Sequence, residues 1–63
     1  MTEEKAHESV LSYVKSQRND VTAWRVPCLG NPSITDIRVF DWTAHTLLAR
    51  GITWRSVAER LGL

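Results

Sequence analysis

The sequence predicts an all-α fold, a small domain of three helices with a poorly defined middle segment. Three observations carry that prediction. Apolar residues recur at helical spacing in two long stretches, hydroxyl residues stand where helices would begin, and Gly51 stands where the longest would stop. At 63 residues the chain is read as one domain spanning 1–63.

The first helix is expected near residues 3–18. Thr2 is placed to cap it, and Glu3 and Glu4 lie in the first turn, where the helix dipole favours negative charge. Ala6, Val10, Tyr13, Val14 and Gln17 share one stripe, Leu11 lies off it, and Asn19-Asp20 ends the segment. Residues 20–33 are read two ways. Val21–Val26 suits a short strand with Thr22, Trp24 and Val26 on one side, or a helical turn capped by Asp20. Pro27 holds Val26 extended, and Gly30-Asn31-Pro32 is a turn signal. A lone strand has nothing to pair with, so a short helix or irregular segment is expected.

The second helix is expected near 34–50. Ser33 and Asp36 resemble a capping box, and Ile37, Phe40, Ala44, Leu47 and Leu48 form a stripe. Val39, Trp42 and Ala49 lie on the opposite side, so this helix is apolar all round and belongs between the other two. Gly51 ends it in the left-handed conformation that glycine accepts. A third helix is expected near 54–61, capped by Thr53 and stapled by Ile52 and Val57, with Trp54, Val57, Ala58 and Leu61 buried. The connection of about three residues sets these two helices at a steep angle.

Composition narrows the function. A core of this size supplies roughly 3–5 kcal/mol, and no staple is visible. Cys28 is alone, and with His7 and His45 it makes no zinc-ligand pattern. No metal or cofactor is expected. The formal charge of +1, from eight basic and seven acidic residues, lacks the footprint of a nucleic-acid binder. No apolar run approaches a membrane span, and Met1–Lys5 does not open a secretory signal, so a cytoplasmic protein is expected. A chain with 43% hydrophobic residues and three tryptophans has more apolar bulk than so small a core encloses. Docking onto a larger protein, or forming a homodimer, is expected.

Residues 52–63 carry a family resemblance. Val57-Ala58 followed by Leu61-Gly62-Leu63 sets a small residue four positions before a turn glycine. The segment resembles the front half of a bacterial helix-turn-helix regulator. In that register the reading helix falls beyond residue 63. In a second register Gly51 is the turn glycine and residues 53–61 are the reading helix. The resemblance then implies a dimeric DNA-binding regulator, with Thr53, Arg55 and Glu59 in the major groove and Arg50 and Arg60 on phosphates. Charge weighs against it: residues 31–63 hold four arginines against Asp36, Asp41 and Glu59.

The favoured expectation is therefore a non-enzymatic regulator that blocks a larger protein. Trp42, Arg38, Trp24 and Arg55 are the contact residues, tryptophan and arginine being enriched among binding hot spots. Trp42 is expected to be the most accessible indole, Trp24 the next. Size and composition are similar to those of phage and mobile-element inhibitors of host machinery, anti-CRISPR proteins among them. Asp41 and His45, four apart on the expected helix, suit a flank ion pair better than an acid–base pair, and no nucleophile accompanies them.

Overall fold

The computed structural model describes the backbone of residues 1–63 and every side chain except that of residue 32. Thr2 accepts a hydrogen bond from the Lys5 N–H at 3.1 Å and starts helix α1, Glu3–Ser16. Ala6 and Val10 on its inner face are buried and Val14 packs beside them, while Leu11 is exposed. Strands β1 (Val21–Cys28), β2 (Asn31–Asp41) and β3 (Thr46–Gly51) follow, then helix α2 (Trp54–Arg60). The sheet is antiparallel, in the order β1-β2-β3.

The fold is therefore α+β, two helices against a three-stranded sheet, and the all-α expectation is corrected. The helix expected near 34–50 is two strands and a turn. The segment 20–33, expected to be helical or irregular, contains β1. Both corrections have one cause. The objection to a strand at 21–26 was the lack of a partner, and β2 is that partner, with Trp24 opposite Arg38 and Val21 opposite Asp41. Ser33 and Asp36 are consequently strand residues, and Gly51 ends β3 rather than a helix. There Gly51 has a different use: a Cβ on it would lie 3.0 Å from the Ser56 Cβ, so its smallness lets α2 fold back onto the sheet.

Strand alternation sorts the sheet into two faces. Ile37, Val39 and Ala49 point at the helices and are buried with Val21, Ala6, Val10, Trp54, Val57 and Ala58. Thr53 caps α2 as expected, accepting from the Ser56 N–H at 3.1 Å, but Ile52 is exposed and no staple with Val57 closes over it. The helices are tied end to end. The Glu3 carboxylate accepts the backbone N–H groups of Trp54 at 2.7 Å and Arg55 at 3.0 Å. The Trp54 N–H bond holds the Glu3 pKa below its ordinary value against opposing burial, with the Arg55 N–H and the charges of Arg25 and Arg55 assisting. His7 stacks on the Trp54 ring at 4.3 Å and the Arg25 guanidinium lies 5.7 Å from its centre, so this indole is enclosed, at 6% exposure.

The β2–β3 turn, 42–45, contains no glycine or proline, and Asp41 organises it. One carboxylate oxygen accepts the N–H groups of Thr43 and Ala44, each at 3.0 Å, and the other accepts Asn19 Nδ2 at 2.8 Å. The Asn19 and Ala44 bonds, outweighing burial, lower the Asp41 pKa. Asp41 and His45 therefore do not share a helix. His45 closes the turn in the left-handed region at φ 51°. Among the described residues, no helix is long and apolar enough to cross a membrane.

Candidate binding face

Both helices cover the same side of the sheet, and the thinnest extent of the molecule, 14 Å, holds only these two layers. The other side is open. Antiparallel pairing brings even-numbered residues of β1 and β2 onto it: Thr22 and Trp24 from one, Asp36, Arg38 and Phe40 from the other, with Trp42 just past the end of β2. A register shift between Val39 and Phe40 sets Leu47 opposite Phe40, which returns a leucine to this face, and Arg50 stands opposite Arg38.

Trp42 is the centre of the arrangement. Its indole N–H donates to Thr22 Oγ1 at 2.8 Å, which fixes the ring. Trp24 stacks on one side with centroids 6.0 Å apart, and Phe40 leans on it at 4.6 Å and 59°. Even so, Trp42 is 47% exposed, the most open of the tryptophans. Trp24, Phe40, Trp42 and Leu47 line a hollow of about 360 Å³, with Arg38 and Arg50 on its rim. These large apolar side chains pack on one another and lie outside the buried core.

The two rim arginines are directly opposed across the strands, a like-charge pairing that destabilises a sheet on its own. Asp36 resolves it. Its Oδ2 accepts from Arg50 Nε at 2.6 Å and Arg38 Nε at 3.3 Å, and the residue is 5% exposed. Burial pushes the Asp36 carboxyl up, but the hydrogen bonds and charges of Arg50 and Arg38 prevail and hold its pKa below the ordinary value. Both arginines bond Asp36 through Nε, so their terminal nitrogens take no part in these contacts. The result is a fixed pair of guanidinium groups beside an aromatic floor, with a net charge of one positive unit.

The residues singled out in the sequence separate into two places. Trp24, Arg38 and Trp42 meet on the open face. Arg55 does not join them; it lies in the first turn of α2 on the helical side, next to Glu3. Of the DNA-reading set, Thr53, Arg55 and Glu59 line a shallow hollow with Glu3 and Ser56, Arg60 is exposed at the far end of α2, and Arg50 is across the molecule on the sheet. No single surface holds that set. Sequence reasoning missed Phe40, Leu47, Asp36 and Arg50 as members of the open face. The signal was the alternation Asp36-Arg38-Phe40-Trp42, hidden by an equally good helical spacing.

Cys28 is a free thiol, half-buried near the β1–β2 turn. Among the described residues no cluster of three metal-ligating side chains occurs. No protein-family model matches the chain, and neither curated proteins nor solved structures include a significant match to it.

Proposed function

We propose that this protein is a non-enzymatic regulatory module that binds a larger protein through the open face of its sheet and acts by occupying that protein's surface. The observation that carries the reading is Trp42, hydrogen-bonded to Thr22, half uncovered, and flanked by Trp24, Phe40 and the paired arginines. A small domain that keeps three aromatic rings together outside its core forgoes their burial, and a partner's surface recovers it. Arg55 and the α2 residues are outside this contact.

The test uses the full chain and Trp42→Ala as parallel baits in lysate of the encoding cell, with duplex-DNA retardation at low salt alongside. Wild type is expected to retain a discrete protein that Trp42→Ala loses, a cost of about 2 kcal/mol or roughly 30-fold in affinity. Circular dichroism of the two should agree. Equal retention by both, or retardation of duplex DNA at micromolar protein, overturns the reading. The second result would restore the DNA-binding alternative.

A further inference from the structure

We infer that the occupant of the open face is a linear protein segment in which one large apolar side chain is flanked by carboxylates. This rests on the binding role proposed above and adds the chemistry of the partner. Three observations lead to it. The hollow has an aromatic and aliphatic floor and about 360 Å³ of space, enough for one leucine-to-tryptophan-sized side chain and its neighbours. Its rim carries Arg38 and Arg50, each bonded to Asp36 through Nε, so that the terminal nitrogens take no part in those bonds. A carboxylate reaching that rim meets two guanidinium groups whose terminal nitrogens can donate to it. A neutral or basic segment leaves them unpaired as water is expelled, which costs affinity.

The size of the face selects a segment over a globular surface. Three strands ~4.8 Å apart, six residues long in β3 and eight in β1, give a patch of roughly 300–400 Å². Stable interfaces between folded proteins bury about 800 Å² per partner. A peptide of a few residues fits this patch.

Charge decides against the two competing occupants. A second copy of the chain would set one Asp36-Arg38-Arg50 cluster, net positive, against another. Nucleic acid needs several free cations along its phosphates, about one per contact. The lining and rim of this hollow offer only the two arginines that already share Asp36.

The experiment is selection of a random-peptide display library on the immobilised full chain, with counter-selection on Trp42→Ala. Enriched peptides are expected to place Asp or Glu within two positions of a large apolar residue. Changing those carboxylates to Asn or Gln should weaken binding about fivefold or more, and Arg50→Gln in the protein should weaken the parent peptide similarly. Arg50 is mostly exposed, and near-ultraviolet dichroism from the Trp24–Trp42 stack reports whether the variant keeps the face. Trp42-dependent peptides without carboxylates, or equal binding after the Asn and Gln changes, overturn this inference and leave the binding role standing. Failure of any peptide to survive counter-selection on Trp42→Ala overturns both. Displacement of selected peptides by oligothymidylate at equal concentration assigns the face to single-stranded nucleic acid and overturns the inference.

Discussion

Ile37→Ala and Leu47→Ala, made side by side, give the sharpest test of the fold. On one helix the two residues would share a buried stripe and cost alike. In the sheet they face opposite ways: Ile37 is fully buried between β1, β3 and the helices, whereas Leu47 is 47% exposed on the open face. Ile37→Ala removes three buried carbons, about 0.8 kcal/mol each, or roughly 2.4 kcal/mol. A residual cavity raises the loss to ~3–4 kcal/mol. Leu47→Ala gives up about half as much transfer energy and leaves no enclosed cavity, so its cost is near ~1 kcal/mol. A domain whose core supplies ~3–5 kcal/mol survives the second change and barely survives the first. Urea titration followed by fluorescence, where the enclosed Trp54 reports on the core, measures both, with trimethylamine N-oxide added to preserve a folded baseline. With a slope of ~1 kcal/mol/M, the two midpoints should differ by about 2–3 M. Equal losses, or the larger loss at Leu47, would refute the strand register.

Two further predictions concern the turn and pH. Glu3, Asp36 and Asp41 all have folded pKa values below their ordinary values of 4.5, 3.8 and 3.8, so their contribution to stability is complete above the ordinary values and is lost as pH falls below them through the lower folded ones. The urea midpoint should therefore hold steady down to about pH 5 and fall below it, and Glu3→Gln should be less stable at neutral pH and less pH-dependent. A midpoint that rises on acidification contradicts the ion pairs and caps described. At His45, glycine removes left-handed strain of ~1–2 kcal/mol and adds back about 0.5–1 kcal/mol of backbone entropy in the unfolded chain. His45→Gly should raise the melting temperature by about 2–6 °C. A drop of that size means the His45 side chain holds the turn in some other way.

The parts legible in the sequence are those governed by neighbours within a few residues. Thr2 and Thr53 mark the helix starts because capping is a contact across three positions, and Ala6, Val10, Val57 and Ala58 show their burial through spacing on one helix. That at least one large apolar ring would stay exposed also follows from counting side chains against the capacity of a small core; Trp42 was singled out from a helix over 34–50 that does not form. Residues 21–51 were different. Ile37, Phe40, Leu47 and Leu48 satisfy a helical stripe, while Ile37 and Val39 against Phe40 and Trp42 satisfy strand alternation. Local spacing does not choose between them. The turn that should have separated the strands uses Asp41 and a left-handed His45 in place of glycine or proline.

Composition and local pattern thus determined two capped helices, a small core and a surplus of aromatic surface. Whether that surplus forms a site depended on Trp24 meeting Arg38 across one strand pair and Arg38 meeting Arg50 across the next. Those meetings join residues far apart in the chain, and only the paired sheet, with its helices all on one side, brought them onto one uncovered face.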